Sequence, residues 1–329
     1  MRPSSLLLYL LLVCPAVACG GTAVQPDQSV QGAQSGGASS GGDSTSSSGG
    51  AGESAGGTQS AGGTATCANA EVVEDDAVKA ALLPYAPEAT SWTQEAWDSL
   101  TEAPPTDLSI VGAQSLAGLQ CLDVLFSLEL VGGDIDDLSP LASWGPANLH
   151  LTGELLIADE AWSALADSEF PSHIHITDVD WPTFPAIHGL GTLYGVHVEN
   201  ASLGALDGLA GVELGQAEFL NVTGLTGAEV AKVTGADTLN LSESTIDGTL
   251  DLSSFSNLRE LFMDDAVLDS MPIVPAPSDA CNRIHARRVN IPEAELQIAA
   301  QALCDIGWAV KYSSGADGQE SECGMSVCR

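Results

Sequence analysis

An apolar-x-apolar triplet returns along this chain at a nearly constant interval. Leu128-Glu129-Leu130 is followed by Leu149-His150-Leu151, Ile174-His175-Ile176, Val196-His197-Val198, Leu220-Asn221-Val222, Leu239-Asn240-Leu241 and Leu261-Phe262-Met263. Their first residues stand 21, 25, 22, 24, 19 and 22 positions apart. A unit this short cannot bury its own apolar face and must stack on its neighbours, which predicts a solenoid with one strand per turn. Leu108-Ser109-Ile110 opens the series 20 positions before Leu128.

Alternate side chains of a strand face opposite ways, so the two apolar members of each triplet are expected in the core and the middle one on the open face. The predicted open-face file is Ser109, Glu129, His150, His175, His197, Asn221, Asn240 and Phe262, with His173 on the same face two residues before His175. Neighbouring parallel strands lie about 4.8 Å apart, close enough for imidazoles to share an ion. Neutral imidazole suits Zn or Cu, so His150, His175 and His197 are candidate metal ligands, with Glu129 or Glu199 as a carboxylate. Two other readings fit the same residues. One is a polar, aromatic-sized file stacking on a solvated sheet face. The other is a pH switch, in which adjacent imidazoles repel one another when acid charges them.

The pattern extends beyond the triplet, as in Leu125-x-x-Leu128-x-Leu130, Leu193-x-x-Val196-x-Val198 and Leu258-x-x-Leu261-x-Met263. Small residues follow at Ala113, Gly133, Ala201, Ser244 and Ala266, then apolar ones at Leu116, Ile135, Leu203, Ile246 and Leu268. This resembles the leucine-rich repeat. Gly132-Gly133-x-Ile135-x-x-Leu138-Ser139-Pro140-Leu141-Ala142 is similar to internalin-like bacterial repeats, as is Asp75-Asp76-Ala77-Val78-Lys79-Ala80-Ala81-Leu82, although the Asn usual after the strand is largely absent. The resemblance implies an α/β solenoid: a horseshoe with a parallel β-sheet on its concave face, a helical N-terminal cap and a disulfide-stapled C-terminal cap. A parallel β-helix has a similar period and is the alternative. Return segments over residues 160–166 and 227–232 carry good helix formers and favour the leucine-rich form. Helical spacing over residues 74–83 and 93–102 supplies the first cap. A helix opened by Pro292 and a last strand over residues 308–312 supply the second.

The first 66 residues have no capacity for a core. Arg2, the apolar run over residues 6–13 and Ala16-Val17-Ala18-Cys19 read as a secretory signal too short to span a bilayer. The segment resembles a bacterial lipoprotein signal, with Ala16 where that family usually has Leu. The resemblance implies a diacylated Cys19 and, because Gly20 is not Asp, the outer membrane of a Gram-negative cell; ordinary cleavage near Ala18 is the alternative. Residues 20–66 are almost entirely Gly, Ser, Ala, Thr and Gln, with three acids and no aromatic residue, a composition that cannot repay its ordering entropy. The expected organisation is a signal at 1–18, lipidated Cys19 and linker at 19–66, helical cap at 67–105, solenoid at 106–290 and C-terminal cap at 291–329.

Forty-four acidic against nine basic residues leave a net charge of −35, which rules against a nucleic-acid backbone as partner. Only Arg283, Arg287 and Arg288 cluster locally. Outside the signal and the lipid site, six cysteines remain, an even count that argues for disulfides in an exported chain. Fifteen pairings exist; position along the chain favours Cys67 with Cys121, Cys281 with Cys304, and Cys323 with Cys328. No His-Glu-x-x-His, Gly-x-x-x-x-Gly-Lys or Gly-x-Ser-x-Gly occurs, so no enzyme is expected. The expected role is binding of a protein or glycan through the concave face, with membrane contact through the lipid. Metal binding or pH sensing by the histidine file, and a structural role in the envelope, are the alternatives.

Overall fold

The computed structural model describes residues 73–87, 100, 105–122, 125–142, 146–165, 171–187, 190, 193–277, 281–316 and 318–324, all within the compact unit Gly62–Arg329. The signal, Cys19, the linker, Cys67, Cys328, His188 and all but Leu100 of the expected helix at 93–102 lie outside the described residues.

The repeats form one sheet. Its strands begin with β1 (Asp107–Ala113), β2 (Ser127–Ile135), β3 (Asn148–Ile157) and β4 (His173–Thr177). After β5 (Asp180–Thr183) on the return side comes β6 (Gly195–Glu199), and after β7 (Ser202–Ala205) comes β8 (Gln216–Leu220). β9 (Leu225–Thr226), β11 (Thr245–Asp247) and β13 (Val267–Leu268) alternate in the same way with β10 (Thr238–Asn240), β12 (Glu260–Phe262) and β14 (Arg283–Val289). β15 (Ala309–Ser314) and β16 (Ser321–Cys323) complete an 11-stranded sheet in the order β1-β2-β3-β4-β6-β8-β10-β12-β14-β15-β16. Every neighbouring pair is parallel except β15 with β16. The apolar triplet members are core: Leu128, Leu130, Leu149, Leu151, Ile174, Ile176, Val196 and Val198 are all buried.

One repeat is in a different register from the one expected. His197 pairs with Glu218, and Glu218 with Asn240, so the triplet of β8 is Ala217-Glu218-Phe219. Asn221 lies beyond the strand, exposed, with φ at 53°. It belongs to a ladder of left-handed residues, one per repeat: Gly112, Gly132, Gly153, Asp178, Asn200, Asn221, Glu243, Asp265 and Arg288. Each sits two positions after the second apolar residue of its triplet; Asp178, Asn200, Asn221, Glu243 and Asp265 lie past their strand ends, whereas Gly112, Gly132, Gly153 and Arg288 bend strands that run on. Glycine enters this conformation freely and Asn or Asp at modest cost, which explains most of the ladder. Behind the sheet the buried Ser244 hydroxyl donates to the Phe219 carbonyl (2.7 Å) and accepts from the Val222 N–H (2.9 Å), tying two repeats together.

The return side mixes two forms. Short helices at Asp159–Trp162 and Gly227–Val230 occur where helix formers were expected, with 3-10 turns at Ser139–Leu141 and Asp207–Leu209. Parallel ladders β5–β7 and β9–β11–β13 lie between them, a local feature of the β-helix alternative. Their buried members Trp181, Leu203, Leu225, Ile246 and Leu268 close the core from behind.

Both ends are closed by polar or covalent clamps. The helix Asp76–Leu82 covers β1, and Asp75 caps it by accepting from Ala77 N (2.7 Å) and Val78 N (3.3 Å). Its other oxygen accepts from Gln114 N (2.8 Å) and Ser115 N (3.0 Å), tying the cap to the first repeat. At the far end the helix Glu293–Asp305 packs on β15, and Trp308 is buried with Nε1 donating to the Pro275 carbonyl (2.9 Å). The staple there is Cys304–Cys323, which corrects the expected pairings of Cys281 with Cys304 and Cys323 with Cys328. The reason is topological: the tail turns back as antiparallel β16 and brings Cys323 against the last helix. Cys121 is also disulfide-bonded.

Candidate functional site

The strand register sets the open-face file without further assumption. From β1 to β15 it reads Ser109, Glu129, His150, His175, His197, Glu218, Asn240, Phe262, His285 and Lys311. Seven of the expected residues, Ser109, Glu129, His150, His175, His197, Asn240 and Phe262, stand in it. His173 stands one file over, opposite Asn148 and Gly195, and Asn221 does not face the sheet. Glu218, His285 and Lys311 were not anticipated. Ala217 lies 21 positions after Val196 and 22 before Leu239, an evenness that the choice of Leu220 had broken, and Ile284-His285-Ala286 repeats the triplet once more.

The rings are ordered by contact. His150 and His175 stack with centroids 4.5 Å apart and planes 11° from parallel, and His175 meets His197 at 5.5 Å and 44°. His173 lies 6.3 Å from His175 and 5.4 Å from the exposed ring of Tyr194. The Ser172 hydroxyl donates to the Ala147 carbonyl (2.9 Å), so at 3.1 Å it accepts from Nδ1–H of His173. Gly195 makes room for that ring, since a Cβ there would stand 3.1 Å from His173 Cδ2. A recess of about 60 Å³ remains between His173, His175, His197, Gln216 and Glu218. Farther along the file, Phe262 and His285 meet at 4.9 Å.

The rings of this row are shifted in opposite directions. Burial, followed by the neighbouring His150, His197 and His173, pushes His175 down to about 4. Burial also lowers His150, against the opposing pull of Glu129 and Asp107. His197 moves the other way. Its Nδ1–H donates to Glu218 Oε2 at 2.6 Å, and this bond outweighs burial and raises its pKa, helped by Glu199 at 3.5 Å from Nε2. The same bond lowers the Glu218 carboxyl. As pH falls, His197 is therefore the first of the three rings to take a proton, between two carboxylates, while the stacked His150 and His175 stay neutral longer.

This arrangement does not direct His150, His175 and His197 at one ion. An imidazole lone pair lies in its ring plane, so near-parallel stacked rings aim past each other. Both nitrogens of His197 already face carboxylates. Among the described residues no group of three or more His, Cys, Asp or Glu is placed to hold a metal.

The basic cluster is likewise absorbed. Arg283 faces Glu260 at 3.7 Å, Arg287 Nε donates to Asp264 (2.9 Å) and Arg288 Nε to Asp265 (2.7 Å), each acid coming from the preceding repeat.

No family model matches this chain, and no curated protein does. Among solved structures, internalin C2 from Listeria monocytogenes is similar at 23% identity and a TM-score of 0.39, over 59% of this chain and 86% of that one.

Proposed function

We propose that the chain is an exported, lipid-anchored binding protein that recognises a protein or glycan through the open face of its sheet. Cys19 carries the lipid, residues 20–66 form the tether, and the repeats form the head. The observation that carries the reading is the stacked row His150–His175–His197 ending on Glu218, a half-buried polar surface fixed by its own contacts. A surface ordered before binding loses little side-chain freedom on binding, so its contacts count toward affinity. Recognition here is surface complementarity without bond chemistry.

A pH dependence belongs to the same reading. Acid charges His175 and His150 beside the His197 cation, and the like charges repel across the row. A partner selected by the neutral rings is released as pH falls.

Two measurements test this. Cys19→Ala should move the protein from membranes to the soluble fraction; retention on membranes contradicts the anchor. Cross-linked capture from an envelope fraction should be lost on His150→Asp with His175→Asp and kept on a return-side change such as Asp251→Asn. Equal capture by both variants removes the open face as the site.

A further inference from the structure

Two cavities abut away from the histidine row, at the junction between strand ends and return segments of the third and fourth repeats. The larger, about 850 Å³, runs past the ends of β3, β4, β6 and β8 and carries the exposed carboxylates of Glu154, Asp178 and Asp180. Its volume is within the range of ligand-binding clefts. The smaller, about 150 Å³, is walled by Trp162, Trp181, Pro182 and Pro185, with Asp159 at its margin. Leu156 and Trp181 line both. A ligand that crosses Leu156 therefore touches an acidic trough and an aromatic slot.

Three observations say what such a ligand must carry. Leu156 is 63% exposed although it follows the buried Leu155 directly, leaving an apolar ridge between the cavities. Trp162 is 2% exposed, yet its Nε1–H has no hydrogen-bond partner, whereas Nε1–H of Trp181 donates to the Leu155 carbonyl at 3.1 Å. Nε1 of Trp162 is itself closed off from solvent, so Trp162 meets the slot as an aromatic wall. The four carboxylates Glu154, Asp159, Asp178 and Asp180 have no cationic partner among the described residues. Elsewhere Asp207, Glu229, Asp264 and Asp265 each hold a Lys or Arg, even though the chain has nine such residues for 44 acids.

We infer that the two cavities form one binding site for a cationic polypeptide segment. Its Lys or Arg side chains lie among Glu154, Asp178 and Asp180, and an apolar side chain passes Leu156 into the Trp162–Trp181 slot. The apolar ridge and slot separate such a segment from a bare polyamine or a metal cation, which bring charge and no apolar side chain. The Trp and Pro walls ask for an apolar side chain as well. This site is independent of the open-face row, because no residue of the row lines either cavity.

Fluorescence anisotropy with the intact protein tests the assignment. The probe is a labelled hexapeptide of alternating Arg and Leu, with Arg-Ser and Glu-Leu hexapeptides as controls at physiological ionic strength. The Arg-Leu peptide should bind at least about tenfold more tightly than Arg-Ser, and Glu-Leu should not bind. Leu156→Glu, and separately Asp178→Asn with Asp180→Asn, should each raise Kd about tenfold or more. His175→Asp should leave Kd unaltered. Equal binding of Arg-Leu and Arg-Ser peptides, indifference to both exposed variants, or loss on His175→Asp would each overturn the site.

Discussion

His197 and Glu218, 21 positions apart in the chain, meet on neighbouring strands with Nδ1 and Oε2 separated by 2.6 Å. Each sets the other's charge. His197 is raised, so its contribution to stability is present below the ordinary histidine value and is lost as pH rises through the folded one. Glu218 is lowered, so its contribution is present above the ordinary carboxylate value and is lost as pH falls. Glu218→Gln should therefore bring the His197 titration down in NMR. It should also destabilise the fold by about 1 kcal/mol or less, because both groups are partly exposed.

The stacked rings give the opposite acid response. His175, lowered to about 4, stays neutral in the fold while the unfolded chain binds a proton near 6.5. Stability is thus lost as pH falls from about 6.5 toward 4, and His150 and His285, also lowered, act in the same direction. Solvent screening of a half-exposed ring limits the His175 share to on the order of 1 kcal/mol. His175→Gln should flatten the fall of Tm across this window; an unchanged profile contradicts the assigned shift.

Asp75 holds the first cap through four backbone N–H groups. Burial pushes its carboxyl up, but those four donors prevail and hold it below the usual carboxylate range. Asp75→Ala removes a helix cap worth about 1 kcal/mol and strands two further donors, for a total loss of about 2 kcal/mol or more in denaturant unfolding. Protonation does the same by degrees, so this clamp weakens as pH falls through the folded value.

The left-handed ladder contains one poor fit that is easily tested. Glu243 holds φ at 63° with its side chain exposed, where an L-residue with a long side chain is strained by about 1 kcal/mol. Glu243→Gly or Glu243→Asn should raise stability by about 0.5 kcal/mol, the gain for glycine being offset by its freer unfolded chain. Gly112→Ala should do the reverse, since φ is 75° there and nothing lies near the added Cβ, so only backbone strain acts.

Much of this architecture was legible in the triplets. Leu128 through Met263 gave core and face together, because period-two alternation needs no tertiary information. The misplaced repeat shows the limit. Ala217 is a weak apolar signal, and Leu220-Asn221-Val222 reads as a better strand, yet Val222 is buried through the turn and Leu220 is only half-buried. His285 escaped notice for the same reason, its triplet ending on Ala286. The Cys304–Cys323 bond was out of reach of spacing arguments, because it depends on β16 folding back against β15, and Ser321–Cys323 carries no apolar pattern. The His197–Glu218 pair needed the corrected register before it had any meaning.

The central claim is that the open-face file contacts the partner, and site-specific photo-cross-linking tests it most directly. A photoreactive phenylalanine at Asn240, in the file, should form a discrete partner adduct in intact cells, whereas the same group at exposed Asp251 on the return side should form none. An adduct from position 251 with none from position 240 would contradict the account.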